Sequence, residues 1–437
     1  MRKQVASFFS TLVKPFAEIH SGERMKTCLM FLYFFLTIST LYILKPVRSS
    51  LFLSEFSAEK LRFINIGEGL FLILIVWLYA LLAKRLTHKV LYPLVLGFLI
   101  VTMILFWYFI KRDLPYLSAG FYIWQSAFSA MVTTQFWILA NDIFRPNEAK
   151  RLFGLIISGG SLGGILGGFL TSFFVRWFPT EDLLLVVALI LLACIFLIGI
   201  LWKEIIVERP GGMADVAHLP EIKEGNENNK KDVSGKHPFG AGSYIALVVG
   251  IVVLAKMSST IVENQFGGMV QLVIRGKDAI TSFYGSFYGW LNVLSFFLQI
   301  VVTGKLLKRF GVGISLWLLP LGLAGLSLVS FLVPVLSVSI FYKLYDAGMN
   351  YSIQQASKEI LYLPIPAKLR RRVKPAIDML GYRGAKTIAG LYMAVCAPLF
   401  GFSVEKFGLL VLLLMPLWFV ITWATHHRLR RYAEEGF

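Results

Sequence analysis

The most constraining feature of this 437-residue chain is a set of apolar runs long enough to cross a lipid bilayer. Leu183 to Trp202 holds no charge, and Val90 to Ile110 and Phe407 to Thr425 are equally apolar. A span needs about 20 apolar residues at 1.5 Å rise each. Hydrocarbon offers backbone amides no partners, so such runs must be helices. Composition agrees: 57% of residues are hydrophobic and only 16% are charged. No cleavable signal is read in residues 1–26, because the first apolar run is a full span without a small-residue cleavage site. Cys28, Cys194 and Cys396 each fall in an expected span, and all six histidines lie outside the spans. Disulfide, metal centre, cofactor and intramembrane histidine relay are therefore not expected. There is also no Ser/His/Asp set or CxxC pattern, so the chain does not read as an enzyme.

Twelve spans are expected near 27–47, 66–83, 90–110, 117–140, 153–175, 183–202, 242–265, 281–304, 312–332, 337–357, 385–402 and 407–425. The uncharged stretch 311–342 is too long for one helix and is divided near Pro334. With the N-terminus in the cytoplasm, the inside segments, counted through Lys386, hold 31 of the 43 Lys and Arg, and the outside segments, counted from Lys45, hold 10. That bias follows the positive-inside rule and places both termini in the cytoplasm. The net charge of +18 is then largely topological, with affinity for anionic lipid, and nucleic-acid binding is not expected.

Residues 203–241 form the one long polar segment and read as a flexible linker. The expected organisation is a short segment 1–26, a six-helix half 27–202, the linker 203–241, a second half 242–425 and a tail 426–437. This all-α bundle of two six-helix halves is major-facilitator-like. The stretches ANDIFRPNEAKRLFG (140–154) and ASKEILYLPIPAKLRRRVKPAID (356–378) share an opening alanine, a polar pair, a proline and basic residues. They read as a weak internal repeat.

Ionisable residues inside spans cost several kcal/mol unless paired or hydrated, which makes each a functional candidate. Lys343, Asp346, Asn350, Gln354 and Lys358 repeat along one helical face. They read as the lining of a polar cavity, or as a salt bridge between helices, with Lys343 and Asp346 spaced to pair. Lys256 and Glu263 share a face of span 7. Lys45 and Arg48 are read as ending span 1, and Glu68 as sitting near the outer end of span 2. Arg48 and Glu68 have the further option of snorkelling to an interface. Several inward cations with a few carboxylates point to an anionic substrate held by Lys and Arg. In span 5, Gly159/Gly163, Gly160/Gly164, Gly163/Gly167 and Gly164/Gly168 have the four-residue spacing of close helix packing. They read as a packing and sliding surface, not as a phosphate loop, because no Gly-Lys-Ser/Thr follows.

Lys358, Glu359, Tyr362, Pro364, Lys374, Ile377, Asp378 and Arg383 match, in order, a motif of the nucleotide transporters of plastids and intracellular bacteria. NEAKRLFGLI (147–156) resembles that family's Glu-Ala-Lys-Arg segment, and Glu263 and Lys45 stand where the family has a glutamate and a lysine. The resemblance implies ATP/ADP or broader nucleotide exchange through a major-facilitator fold. Under it, Lys45 and Lys358 would contact phosphate with Arg383 nearby, and Glu263 would balance cations or read the base. One departure stands out: span 1 reads ILKPVRSSLFL, without the family's acidic residue beside the lysine. The expected protein is thus an alternating-access carrier in a bacterial inner membrane, a monomer, moving an organic anion that is most simply a nucleotide. Proton symport of another metabolite through Asp346 or Glu263, and a non-transporting scaffold or sensor, are the rival readings.

Overall fold

The computed structural model describes residues 19–208, 241–365, 369–370, 373–374, 377 and 381–434. Among them, twelve α-helices of fourteen residues or more follow the chain, with one further seven-residue α-helical segment, Gln355–Leu361. The first six are α1 (Arg24–Glu55), α2 (Leu61–Arg85), α3 (His88–Ile110), α4 (Leu117–Ile143), α5 (Pro146–Phe174) and α6 (Leu183–Glu208). The second six are α7 (Ala241–Val273), α8 (Lys277–Phe297), α9 (Gly304–Leu332), α10 (Leu336–Met349), α11 (Tyr382–Leu399) and α12 (Phe407–Glu434). Each expected span overlaps one of them. Among the described residues, eight stretches are long and apolar enough to cross a membrane, and one of these, 277–332, contains both α8 and α9. The helices outside those stretches are α4, α10 and α11. Their hydropathy is lowered by the polar residues they contribute to an internal cavity.

The helices outrun the expected spans because apolar content marks lipid contact and not helix ends. α1 continues to Glu55, so Lys45 and Arg48 lie within it and not at its end. Pro46, also inside α1, leaves one i→i−4 bond unmade. The expected loop 305–310 is helical as well. α8 passes through a π-helical stretch (Leu298–Thr303) into α9, and the chain breaks at Gly311, whose φ of 71° suits only a residue without Cβ. The break at Pro334 is found as expected, between Leu332 and Leu336. α10 continues through a second π-helical stretch (Asn350–Gln354) and a last helical segment to Leu361. The expected linker falls largely outside the described residues, with α6 running to Glu208 and α7 starting at Ala241.

Large apolar side chains such as Trp77, Phe98, Leu189, Trp290 and Val420 are more than half exposed, as lipid-facing residues are. Inside, one apolar core joins α1, α3, α4, α5 and α6. A second joins α7 to α12 and extends to Phe52, Leu53, Ala58, Leu61 and Tyr122 of the first half. The two halves therefore share a core at the end of the bundle where α1 stops and α2 starts, termed here the seal end.

Glycines set the spacing of the halves. A Cβ on Gly159 or Gly167 would lie 2.7 or 2.8 Å from the Phe31 or Ser39 carbonyl oxygen of α1, and one on Gly163 would strike the Phe35 carbonyl. Gly168 instead meets Gly285 and Gly289 of α8, and Gly164 meets Asn292. One face of α5 thus packs on α1 and an adjoining face packs on the other half. Gly69 and Gly390 do the same for α2 and α11, where a Cβ on Gly390 would approach the Arg62 carbonyl to 2.6 Å.

Hydrogen bonds and ion pairs between the halves gather at the seal end. Gln271 of α7 donates to the Leu53 and Phe56 carbonyls at 2.6 and 2.8 Å and accepts from the Ala58 N–H at 2.8 Å. Thr281 donates to Ser50 at 2.5 Å, Asp278 accepts from Thr180 Oγ1 at 2.6 Å, and Lys277 pairs with Glu181. At the opposite end, Glu23 accepts from Arg151 at 2.6 Å and Lys26 pairs with Glu148 at 3.1 Å, both within the first half. Burial alone would raise the Glu23 carboxyl. The bonds from the His20 backbone and Arg151 outweigh it and hold the group below the ordinary carboxylate range.

Candidate substrate-binding site

Between the halves, on the open side of this seal, lies a cavity of about 470 Å³. It is lined by α1, α2 and α4 of the first half and by α7, α8, α10 and α11 of the second. Its size falls within the ~300–1,000 Å³ of small-molecule sites. Six cations face it: Lys45, Arg48, Lys256, Lys343, Arg383 and Lys386. Two carboxylates, Glu68 and Glu263, face it with them. A second lobe of about 270 Å³ shares Lys256, Glu263 and Lys343, and follows α10 past Asn350 and Gln354 to Lys358.

Each charge has a defined setting. Arg48 donates to Gln125 at 2.7 Å, to Ser126 at 3.3 Å and, across the halves, to Glu263 at 3.3 Å. Its guanidinium lies 4.4 Å from the Tyr122 ring centroid. Lys386 pairs with Glu68, again across the halves, and Glu68 also accepts from Ser126. Lys343 donates to Asp346 at 3.0 Å. Asp346 lies behind Lys343, 0% exposed and off the cavity wall, and accepts further bonds from Ser259 and Asn350 at 2.8 Å each. Those bonds hold the carboxylate in place, and through it they fix the Lys343 ammonium at the wall.

Two cations differ from these. Lys45 sits 4.1 Å above the Tyr42 ring and 5.5 Å from that of Tyr288, and it has no carboxylate partner among the described residues. Arg383 likewise has none among them. A cation held by ring faces stays available to an anion from the cavity. The α4 wall is neutral in contrast, with Ser126, Ser129, Thr133 and Thr134 repeating at helical spacing. Ser129 and Thr133 donate to carbonyls of their own helix, at 2.9 and 2.8 Å, which leaves their oxygens as acceptors.

Of the residues singled out in the sequence, Lys45, Arg48, Lys256, Glu263, Lys343 and Arg383 meet in the main cavity. Asn350 and Lys358 line the second lobe. Arg48 and Glu68 are only 7% and 5% exposed, which removes the snorkelling alternative for both. Within the motif, Glu359 bonds Lys374 at 2.5 Å, and that ammonium lies over the ring of the buried Tyr362. Asp378 lies outside the described residues. Lys386 was missed because its segment reads as the edge of a basic loop; its position one turn after Arg383, inside α11, is the signal for it. The hydroxyl face of α4 carries an equally legible three- and four-residue repeat.

An all-helical bundle around a charged central cavity is the architecture of a major-facilitator fold. The fold matches a bacterial homologue of the iron transporter ferroportin, in an inward-facing state, with a TM-score of 0.63 at 12% identity over 92% of this chain and 97% of that one. It also matches the nucleoside transporter NupG, with a TM-score of 0.59 at 12% identity over 93% and 98%. Residues 116–346 match the model of the TLC ATP/ADP transporter family, and the chain belongs to that family. It is 22% identical to ADP,ATP carrier protein 1 of Chlamydia muridarum over 86% of this chain and 84% of the relative. With ADP,ATP carrier protein 3 of Rickettsia conorii it shares 21% identity over 80% and 83%. The protein is a multi-pass membrane transporter and not an enzyme.

Proposed function

We propose that this transporter exchanges nucleotides, ATP against ADP or a close analogue, through the central cavity. The observation that carries this is the inventory of cations. Arg48, Lys343 and Lys386 are balanced by Glu263, Asp346 and Glu68, whereas Lys45 and Arg383 keep their charge for a ligand. Lys45 and Arg383 are half-buried cations that face the cavity without a carboxylate among the described residues, and phosphate oxygens are strong acceptors for Lys and Arg. Lys45, Arg48, Arg383 and Lys386 make the phosphate end, and the neutral α4 wall faces the uncharged remainder of the nucleotide. Lys256, Lys343 and Lys358 continue the basic surface along α10, with Asn350 beside them and Asp346 setting Lys343. Both carboxylates on the main cavity wall are engaged with cations, which favours exchange over proton symport.

In this reading the protein acts as a monomer in a bacterial inner membrane with both termini cytoplasmic, an orientation that the distribution of Lys and Arg supports. The cavity then opens to the cytoplasm and the seal end faces outward. Protein in ADP-loaded vesicles takes up labelled ATP, and unlabelled nucleotide competes. Uptake no higher than that of empty vesicles, for every nucleotide tried, would remove the nucleotide assignment.

A further inference from the structure

The Lys386–Glu68 pair combines two properties. Both side chains line the cavity, where a substrate passes, and the pair joins α11 of one half to α2 of the other. It stands beside the close contact of Gly69 with Thr387 on the α2–α11 interface. Ser126 supplies a second bond to Glu68 from within the first half, so that half holds the carboxylate independently of Lys386. On the α1–α7 interface, the Arg48–Glu263 pair stands in a comparable place.

We propose that Lys386 is a phosphate-binding residue whose bond to Glu68 latches the two halves until a substrate phosphate replaces it. This rests on the exchange reading above. A phosphate oxygen entering the cavity competes with Glu68 for one ammonium group. When phosphate takes Lys386, Glu68 stays with Ser126 on α2's side, and the α2–α11 interface loses its ion pair. The seal end then opens at lower cost. With no phosphate, the latch re-forms and the halves stay closed there. A substrate is needed for each crossing, and this is what makes transport an exchange rather than a leak. Glu68 contributes coupling, not affinity.

The test combines flux with access through the seal. Ser49 lines a small space under the seal with Tyr122, Glu263 and Tyr284, and is 8% exposed. Ser49→Cys, in protein with Cys28, Cys194 and Cys396 replaced, reports opening through its reaction with a membrane-impermeant maleimide added at the seal side. Glu68→Gln is expected to speed that labelling about tenfold without nucleotide, and to raise the ratio of uptake into ADP-free vesicles to ADP exchange by a similar factor. With Glu68 intact, ATP speeds labelling and adenosine, which lacks phosphate, does not. Labelling of Glu68→Gln at the unmutated rate, or equal acceleration by adenosine and ATP, overturns the latch. If Glu68→Gln does not accumulate, the charge swap Glu68→Lys/Lys386→Glu decides. Labelling as slow as with the native pair supports the latch, and labelling as fast as in Lys386→Gln overturns it. Should no nucleotide be transported, the exchange reading fails, while the labelling of Glu68→Gln still tests the pair itself.

Discussion

Lys45 carries its charge over tyrosine rings instead of against a carboxylate, and that single arrangement makes a sharp prediction. Replacing it with Gln removes a charge-assisted contact of about 1.5–3 kcal/mol, which corresponds to a rise in KM for ATP of about tenfold to hundredfold. Because no native partner is left behind, the melting temperature stays close to that of the unmutated protein. Arg48 behaves oppositely. Arg48→Leu removes the hydrogen bonds to Glu263 and to the side-chain oxygen of the buried Gln125, and loss of a charge-assisted bond costs about 1.5–3 kcal/mol. Thermal unfolding in detergent should show it as a clear loss of stability as well as of flux. At this scale the sequence was informative where a charge stood well inside an apolar run, as with Lys256 and Lys343. It was least informative near span edges. Lys386, Glu68 and Arg48 lie where a charge reads as interfacial, and only the actual helix lengths and the facing helix show that Glu68 and Arg48 are buried and that Lys386 lines the cavity.

Among the elements, α5 is distinguished by having two glycine faces, one on α1 and one on α8. Gly163→Ala places a methyl group on the Phe35 carbonyl, and backbone does not move aside cheaply. The folded yield and melting temperature of that variant should fall. Gly97→Ala in α3 is the matching control, since nothing lies within 4 Å of its Cβ, and it should gain about 0.5–1 kcal/mol in helix propensity. The four-residue glycine spacing was legible in the sequence as close packing, but which helices received it was not, because spacing carries no information about partners. The same limit applies to helix ends. α1 runs to Glu55 and α8 runs on toward Gly311 because helical hydrogen bonding continues past the lipid boundary that hydropathy detects. At the start of α1, Glu23 contributes stability that is complete above its ordinary value of 4.5 and is lost as pH falls through its lower folded value. The melting-temperature difference between the unmutated protein and Glu23→Gln should therefore be present at neutral pH and shrink in acid.

For the molecule as a whole, the linker and the charge bias set the expected division into two halves, whereas the asymmetry of contact between the first six helices and the last six has no signal in the sequence. That asymmetry depends on residues far apart in sequence, such as Gln271 with Leu53 and Phe56. Gln271→Ala removes three hydrogen bonds from the seal and should raise maleimide labelling of Ser49→Cys, with the Lys386–Glu68 pair still intact. The Gln271 contacts have a wider consequence. The carbonyls they satisfy belong to the last turn of α1 and its exit, where a helix lacks partners of its own. The length of α1 is therefore not a property of the first half alone: its final turn is finished by a side chain from the second. Each time the halves part, that turn loses its borrowed acceptor and donor, and the cycle is written into backbone order as well as into the position of rigid bodies. Amide hydrogens over residues 52–58 should exchange faster during turnover than at rest, which makes the end of α1 a built-in clock for the transport cycle.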